Sequence, residues 1–498
     1  MSQHNFIDRE EEMEILEKSY SKGKGGLFIV YGRRRVGKTE LISRFIGNRG
    51  IYFLATNEGD RENIRDFQRI ISEFIGDSSI NAGLFQDWYS LFSAIVNNSS
   101  FRRKCSLFKF IIAIDEFPYL IEANRSIPSI FQKIFDSLLI DQNVMLILSG
   151  SSISIMEGEV LSYKSPLYGR RMGQLRLNSL KFRYLKEFFH YDMTDLCRTY
   201  FTLGGIPEYL LKFEHNLTFH ENVYQNILSK GAPLYEEAEF LLRTELRAPR
   251  NYSLILRSIA HGNHTLGEIC SYTGMDKSMV SKYIDVLMSL EIIRPEVPFG
   301  ASEKFKRRLY WISDPYLSFW FRYVLPNKSV IESSNSKDVV AKIIDDFELY
   351  ASEQFEELMK ALVADGIMGK TFDMVSRWWG RNKLKRKGED IEEIDIVAYS
   401  SARKELLIAE CKWTSKPVSV TTVDTLRIKS KQLLDQYSGG IITYAVFSKS
   451  GFVGDVKKIG KDVILMDLNE IEKKLFNICE REFPFRKMGD ESERKVYG

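Results

Sequence analysis

Short apolar runs alternate with helical periodicity through the N-terminal third of this 498-residue chain. Four of the runs, at residues 27–31, 51–54, 110–114 and 144–148, carry almost no polar side chains. Runs of this length are typical of strands buried on both faces, as in a parallel sheet covered by helices. After the first run, residues 40–45 begin a pattern with helical spacing. The pattern predicts an α/β domain built on a parallel sheet.

The first apolar run leads into a glycine-rich turn that fits the P-loop pattern G-x-x-x-x-G-K-[ST]. The two glycines let successive N–H groups and the start of the next helix face an anion. Lys38 is expected to reach the β and γ phosphates of a nucleotide, and Thr39 is expected to ligate Mg²⁺. The predicted nucleotide-binding residues of this turn are Gly32, Arg33, Arg34, Arg35, Val36, Gly37, Lys38 and Thr39.

The third run ends in two adjacent acids, Asp115 and Glu116. Asp115 is suited to hold Mg²⁺ and its hydration shell, and Glu116 is suited to polarise an attacking water. The pair favours hydrolysis over binding alone, although both acids could simply cap the turn that follows. The fourth run ends in a serine-rich tip, where Ser149 is expected to sense phosphate or orient water, with Ser151 as the alternative.

Arg170 and Arg171 follow in the segment S-P-L-Y-G-R-R. Their guanidinium groups could stabilise charge in a transition state, within their own chain or across the boundary of a homo-oligomer. Ordinary surface ion pairs are the alternative.

Several motifs then occur in one order: FIDRE at residues 6–10, the P-loop, IDEF at 114–117, the arginine segment, and GGIP at 204–207. Together they resemble the archaeal ATPase family of AAA-like, STAND-related P-loop proteins, over residues 1 to about 240. The resemblance implies that the nucleotide is ATP. It also implies a sheet with an inserted strand and a helical lid whose Gly-Gly-Ile-Pro turn brings Pro207 near the adenine.

Residues 250–312 show short helical patterns separated by tight turns, and they resemble a winged helix. A recognition helix that starts at Asp276 or Met275 would bury Val280, Ile284 and Leu287. The same helix would expose a small, polar set suited to a DNA groove: Lys277, Ser278, Ser281 and Lys282. Basic residues at 304–308 would grip phosphates on the wing. The alternative is a module that relays the state of the ATPase or binds protein.

The aromatic segment 312–323 is expected to pack in a core that docks one domain on the next, and the polar segment 326–338 is expected to be a linker. Beyond it, a helix is predicted at residues 347–364, followed by strands at 394–398 and 406–413. The chain thus changes from helical to strand periodicity in its last third.

Alternate residues of a strand share a face, so Glu410 and Lys412 should point the same way, close to Asp395 on the preceding strand. Two carboxylates can hold Mg²⁺ against a phosphodiester, and an ammonium group can activate the attacking water. The pattern resembles the PD-(D/E)XK nuclease fold, in which Glu356 on the preceding helix would be the first acid. Residues 340–480 also resemble a domain of unknown function that accompanies many archaeal ATPases. Basic residues from 381 to 387 could guide DNA to the metal or merely solvate a hairpin.

Composition adds little about partners, because the net charge is only +3. A hydrophobic content of 44% supports packed cores. The five cysteines are scattered without C-x-x-C spacing, which indicates neither a disulfide framework nor a zinc site. No run approaches the roughly 20 apolar residues of a membrane helix, and no signal peptide is visible. We therefore expect a cytoplasmic protein without a membrane partner.

The predicted fold class is α/β, with four domains. These are a P-loop AAA-like ATPase domain at 1–185, a helical lid at 186–248, a winged helix at 249–325 and a PD-(D/E)XK-like domain at 340–485. The predicted function is ATP hydrolysis with DNA engagement, potentially coupled to Mg²⁺-dependent DNA cleavage. One alternative is an ATP-dependent regulatory switch with a catalytically dead, protein-binding C-terminal domain. A non-hydrolysing ATP-binding scaffold is a further alternative, against which Glu116 argues.

Overall fold

The computed structural model describes residues 7–246, 248–302, 305–333, 336–381, 391–434, 437, 440–455 and 460–482. The chain divides into two compact units. The first comprises Met1–Leu180 with Ile206–Tyr209, and the second comprises Lys181–Gly205 with Leu210–Gly498.

The first unit contains a five-stranded, fully parallel sheet in the order β2-β3-β4-β1-β5. Its strands are β1 Gly26–Tyr31, β2 Gly50–Leu54, β3 Phe110–Asp115, β4 Val144–Gly150 and β5 Arg171–Arg176. Every residue of β1, β3 and β4 is buried, as the apolar runs predict. The predicted parallel sheet is therefore confirmed.

Helices cover both faces of this sheet, and each face has its own apolar core. One core gathers Phe67, Trp88 and Phe131, and the other gathers Leu41 and Phe45. The helices are α1 Glu10–Tyr20, α2 Lys38–Ile46, α3 Asp60–Ile75, α4 Ser79–Ala82, α5 Trp88–Asn97, α6 Ser99–Leu107, α7 Phe117–Ala123, α8 Ile127–Ile134 and α9 Ile153–Ile155, with π-helical turns at Phe135–Leu139 and Met156–Leu161.

Strand β5 lies at the edge of the sheet, beside β1. The apolar pattern does not predict it, because its sequence carries two arginines and a glutamine. Only Leu175 among its six residues is buried. An edge strand has one neighbour and can keep polar side chains in solvent, so it lacks the continuous apolar run of a central strand.

The second unit begins with mostly helical segments and then forms a three-helix module with a two-stranded antiparallel hairpin. Its elements to this point are the 3₁₀ helix Phe182–Glu187, α10 Met193–Leu203, α11 Pro207–Leu210, whose last residue alone belongs to this unit, α12 Phe219–Asn226, α13 Glu237–Glu245, α14 Pro249–Ala260, α15 Leu266–Thr273, α16 Lys277–Ser289, β6 Ile293–Glu296 and β7 Leu309–Ile312. Asp276 caps α16 by accepting the N–H of Met279 at 2.9 Å, as a helix start requires.

The unit ends in a second five-stranded sheet in the order β14-β12-β10-β9-β8. Strands β8, β9 and β10 form an antiparallel meander, whereas β10, β12 and β14 are parallel. Its elements are α17 Pro315–Phe319, a π-helical turn Trp320–Val324, a 3₁₀ turn Leu325–Asn327, α18 Lys328–Glu332, α19 Ser336–Ala364, β8 Met374–Arg381, β9 Ile391–Ser400, β10 Glu405–Lys412, β11 Val418–Ser419, α20 Thr422–Leu434, β12 Ile441–Ser448, β13 Phe452–Val453, β14 Val463–Asp467 and α21 Leu468–Glu482.

The predicted linker at 326–338 is wrong. Its described residues are largely helical, and the helix expected from residue 347 already begins at Ser336. The aromatic segment is core as expected, since Tyr316, Phe319 and Trp320 are buried.

None of the helices in the described ranges is long and apolar enough to cross a bilayer.

Candidate functional site

The glycine-rich turn between β1 and α2 has a tightly curled backbone. Gly32, Arg35 and Gly37 have φ angles of 151°, 70° and 94°, which favour glycine. A Cβ atom at Gly32 would overlap a carbonyl oxygen of the chain that follows β5. The Lys38 side chain is buried, and its Nζ donates to two carbonyl oxygens of the turn, at 2.9 and 2.8 Å. The predicted phosphate-binding residues are thus brought into one compact loop.

Asp115 ends β3 beside the start of α2. Its Oδ2 accepts the hydroxyl of Thr39 at 2.9 Å and that of Tyr52 at 2.6 Å. Burial, followed by the charge of Asp115, raises the pKa of Tyr52, so this phenol remains a neutral donor. The predicted Thr39 and Asp115 pair is in place. Tyr52 is an addition, and its one sequence signal is a phenol within the second apolar run.

Glu116 follows Asp115 in a left-handed conformation, with φ 52°. Such a conformation costs a non-glycine residue roughly 1–3 kcal/mol and persists where its surroundings fix it. Its carboxylate accepts the Ser151 hydroxyl at 2.5 Å and the Ser151 N–H at 3.3 Å. Ser151, the alternative to Ser149 as the phosphate-facing serine, is therefore the partner of Glu116.

Ser149 lies near the carboxyl end of β4, opposite Val30 of β1. Its side chain is 0% exposed, and within the described part of the chain its hydroxyl has no hydrogen-bond partner. Leaving a buried hydroxyl unpaired costs about 1–3 kcal/mol, so such a group calls for an explanation. The predicted role of Ser149 toward phosphate or water stays a prediction.

Ile206 and Pro207 of the Gly-Gly-Ile-Pro turn belong to the same unit as the P-loop, whereas its two glycines belong to the second unit. Pro207 begins α11 within Ile206–Tyr209, which clusters with the parallel sheet. Arg35 of the P-loop forms an ion pair with Glu208, and its guanidinium carbon lies 5.9 Å from the Tyr209 ring centroid. The predicted Pro207 therefore lies next to residues that contact the P-loop, through an ion pair whose acid the sequence analysis does not single out.

Arg170 and Arg171 lie at the start of β5, level with the amino ends of the parallel strands, whereas the P-loop lies at the carboxyl end of β1. Arg171 pairs with Leu27 at the amino end of β1, whereas the P-loop follows Tyr31 at its carboxyl end. Four residues of strand separate these levels by about 13 Å. Arg170 pairs with Asp136 at 2.8 Å, and Arg171 donates to a backbone carbonyl at 2.9 Å. Both guanidinium groups are thus held by partners outside the P-loop, and a role in stabilising transition-state charge, within their own chain or across a subunit boundary, stays a prediction.

Arg9 donates hydrogen bonds to the backbone of the P-loop and of the segment that follows β5. Its side chain is 5% exposed, and Nη2 donates to the carbonyl oxygens of Val36 at 3.0 Å and Asn178 at 2.8 Å. The sequence signal was the FIDRE motif, which contains this arginine but does not reveal its backbone contacts.

The predicted acids of the C-terminal domain lie on three neighbouring elements, α19, β9 and β10. Burial, followed by the charge of Glu410, raises the pKa of Asp395 to about 6. Burial, followed by the charge of Asp395, raises the pKa of Glu356 to about 8. Each acid therefore responds to its neighbour, as expected of clustered carboxylates.

Two acids of this cluster, Glu410 and Glu356, form ion pairs with cations of the same unit. Glu410 accepts Nζ of Lys412 at 2.7 Å and Nζ of Lys429 at 3.1 Å. Glu356 accepts Nη2 of Arg377 at 2.7 Å. No group of three acidic, histidine or cysteine side chains in the described ranges is gathered closely enough to hold a metal. The role of Glu356, Asp395 and Glu410 as metal ligands therefore stays a prediction.

Helix α16 of the three-helix module buries its predicted apolar side chains and exposes its predicted lysines. Val280, Ile284 and Leu287 are buried, and Lys277 and Lys282 are exposed. On the hairpin, Lys306 and Arg307 are exposed and Arg308 is partly exposed. Lys304 and residues 382–390, with the predicted basic loop, lie outside the described residues.

Comparison with known proteins places these features in a family. A family model described as an ATPase domain predominantly from Archaea matches residues 6–213. An uncharacterized protein of Methanocaldococcus jannaschii, MJECL04, is 37% identical over 414 residues, which cover 82% of this chain and 87% of that relative. This chain belongs to the archaeal ATPase family. It is an ATP-hydrolysing enzyme, so the predictions of ATP as the nucleotide and of a P-loop ATPase fold are confirmed.

A second family model, of archaeal and bacterial proteins of unknown function, matches residues 320–426 of this ATPase. Among solved structures, the Walker-type ATPase PABY2304 of Pyrococcus abyssi has 23% identity and a TM-score of 0.47, covering 64% of this chain and 97% of that one. The Aeropyrum pernix ORC2 protein has 15% identity and a TM-score of 0.43, covering 68% and 96%.

The unpartnered hydroxyl of Ser149 generates a sharp prediction. Ser149→Ala should leave the free energy of unfolding of the nucleotide-free protein unchanged or raise it by about 1 kcal/mol, because the replacement removes a buried group without a partner. The same change should lower ATP turnover about 10- to 100-fold, because a donor to the reacting phosphate is lost. Chemical denaturation and steady-state phosphate release measure the two effects.

Ser430→Ala is the matched control for Ser149→Ala. Ser430 is equally buried, but its hydroxyl donates to a backbone carbonyl at 3.1 Å. Its removal should destabilise the protein and leave the turnover of the folded fraction intact. A large loss of stability in Ser149→Ala, with normal turnover, would assign Ser149 to the core.

Proposed function

We propose that this ATPase couples ATP hydrolysis to DNA binding and to metal-dependent cleavage of DNA by its C-terminal domain. The observation that carries the proposal is the juxtaposition of Asp395, Glu410 and Lys412 on two paired strands behind an α-helix that bears Glu356. The helix, antiparallel meander, helix and parallel strand of this region also follow the element order of the PD-(D/E)XK fold that the sequence resembles.

Within the ATP site, we assign Lys38 and the P-loop N–H groups to the phosphates and Glu116 to the attacking water. Thr39 and Asp115 fit Mg²⁺, since their hard oxygen atoms lie 2.9 Å apart beside the P-loop. The ion would neutralise charge on the phosphates when bound. Ser151 would hold the Glu116 carboxylate in position, and Ser149 would donate to the γ phosphate. Pro207 would lie near the adenine.

In the second unit, we assign the segment 249–325 to a winged helix and 186–248 to the lid. The supporting observations are three short helices, an antiparallel hairpin, and exposed cations on α16 and on the hairpin. Cations held on a rigid scaffold bind a phosphate backbone with little dependence on sequence. We place the ATPase domain at 1–185 and the nuclease-like domain at 340–485.

At the C-terminal cluster, the half-buried Asp395 and the buried Glu410 lie on paired strands, and their carboxylate oxygens fit a divalent cation. The ion would polarise the scissile phosphate. Lys412 lies within hydrogen-bond distance of Glu410 and would stabilise charge on the phosphate or orient the attacking water. Glu356 would complete the set from α19, directly or through a water of the ion's shell, because Mg²⁺ commonly takes one or two carboxylates and fills its remaining positions with water and phosphate oxygens.

A second candidate function is an ATP-dependent switch whose C-terminal domain only binds protein. The observation in its favour is that Glu356 and Glu410 are already paired with Arg377, Lys412 and Lys429. Carboxylates neutralised by internal cations can serve structure alone. In this case the hairpin would contact a protein, and Arg170 or Arg171 could act across a homo-oligomer.

The hairpin proposal predicts a specific salt dependence. Changing Lys306, Arg307 and Arg308 to Gln should lower the slope of log Kd for DNA against log salt by about 2–3, because each phosphate contact contributes about 0.9. The slope is measured by fluorescence anisotropy with duplexes of unrelated sequence. The control changes three exposed cations of the first unit, Lys22, Lys24 and Arg103, and should leave the slope as in wild type. Equal slopes for all three proteins would remove the hairpin from the DNA interface.

The metal proposal predicts distinct losses for acids and lysine. Asp395→Asn and Glu410→Gln should each abolish Mn²⁺ binding at this site, measured by calorimetry on nucleotide-free protein, and nicking of supercoiled plasmid in the presence of ATP. Lys412→Ala should keep Mn²⁺ binding and lose most nicking, because an ammonium group is no metal ligand. ATP turnover should survive all three changes.

The control for the metal variants is Asp424→Asn, an exposed acid of α20 that should leave both properties intact. Wild-type protein that binds no Mn²⁺ outside the ATP site and nicks no DNA would favour the switch.

A further inference from the structure

Arg377 is a buried cation of β8 that forms an ion pair with Glu356. Its side chain is 9% exposed, and its Nη2 lies 2.7 Å from Glu356 Oε2 and 3.8 Å from Glu357 Oε1. Its Nε lies 4.0 Å from Oε2 of Glu296, the last residue of hairpin strand β6. One guanidinium group therefore faces carboxylates from both α19 and the hairpin.

The hairpin contacts Arg377 through backbone and ring as well. The N–H of Phe299, just past β6, donates to the carbonyl oxygen of Arg377 at 2.8 Å. The ring of Trp311, on β7, has its centroid 5.1 Å from the Arg377 guanidinium carbon. Next to Arg377, the Ser376 hydroxyl donates to the carbonyl of Val297 at 3.3 Å. Both strands of the hairpin, and the residues after β6, thus converge on this part of β8.

Two polar atoms of this network lie close to each other without forming a hydrogen bond. Glu296 Oε2 and Arg377 Nε are both buried, and neither has a hydrogen-bond partner in the described part of the chain. They face each other at 4.0 Å, beyond hydrogen-bond length. The other oxygen of Glu296 is held by Lys360, which also contacts Glu357 at 2.8 Å. A small shift of β6 would therefore change how Arg377 divides its contacts between Glu296 and Glu356.

We propose that Arg377 and Glu296 are positioning residues for Glu356, so that strand β6 of the hairpin is an outer support of the C-terminal metal centre. The inference rests on the proposed function of that centre. Outer partners fix the orientation of metal-ligating side chains, and their loss commonly costs 10- to 100-fold in metal affinity. It follows that nucleic acid bound on the hairpin and metal bound at the acids influence each other, reciprocally.

The first test needs no metal. Glu296→Gln and Glu356→Gln are made singly and together in the full chain, and thermal unfolding of the second unit is followed without divalent ions. Two carboxylates that share Arg377 should give melting shifts that differ from additivity by at least about 1 °C. The control pair is Glu348→Gln with Glu356→Gln. Glu348 lies on the same helix about 12 Å away and binds Arg198 and Lys449 instead, so this pair should be additive.

The second test measures Mn²⁺ affinity by calorimetry on nucleotide-free protein. Glu296→Gln should raise the Kd about 10-fold or more, although Glu296 is not a ligand. Arg377→Lys should recover part of the affinity that Arg377→Met loses, and Glu348→Gln should leave the Kd unchanged. A wild-type Kd in Glu296→Gln, or additive melting shifts for Glu296 and Glu356, would overturn the positioning role.

The two tests separate this inference from the proposed function. A wild-type chain that binds no Mn²⁺ overturns the metal centre, and with it the positioning role. If the melting shifts are then non-additive, Arg377 is purely structural. Normal Mn²⁺ binding with additive melting shifts overturns the positioning role alone and leaves the metal centre standing.

Discussion

Parallel pairing of β1, β3 and β4 is the constraint on which the ATP site depends. Because the three strands are parallel and in register, the P-loop, Asp115 and Ser149 all lie at the carboxyl end of the sheet. The strands are buried on both faces, so a slip of register would expose apolar side chains. The chemistry at this end is thus fixed by the hydrophobic core beneath it. Strain at Glu116 and an unpartnered hydroxyl at Ser149 persist because this core holds them.

The second unit depends on compensation of buried charge. Glu356, Glu357 and Glu410 each lie beside internal cations, and the hairpin supplies one of the acids, Glu296, that face Arg377. Buried charges are stable only when they are paired, and breaking one pair leaves another charge exposed to a low dielectric. The position of this cluster, where the predicted metal ligands meet the hairpin, is the physical basis for the proposed connection between DNA binding and cleavage.

The sequence was most informative where one short segment contains the whole signal. The P-loop, the Asp-Glu pair and the central strands are local patterns, and the structure has them where the sequence predicts. Tyr52 and Glu208 were missed because their roles come from contacts between distant segments. For Arg170 and Arg171 the segment predicts either a catalytic role or ordinary surface pairing, and the register that sets Arg171 beside the amino end of β1 cannot be read from the sequence. In the C-terminal domain the sequence predicts the acids, whereas the pairing of Arg377 and Lys429 with them depends on contacts between distant segments.

The central claim is that the ATP site divides holding the phosphates from activating water, and comparison of two variants tests it most directly. Lys38→Ala and Glu116→Gln are assayed for ATP affinity by calorimetry and for turnover by phosphate release. The account predicts weak binding and no turnover for Lys38→Ala. For Glu116→Gln it predicts near-normal affinity with turnover reduced about 100-fold or more, because only the group that polarises water is lost. Wild-type turnover in Glu116→Gln would contradict the account.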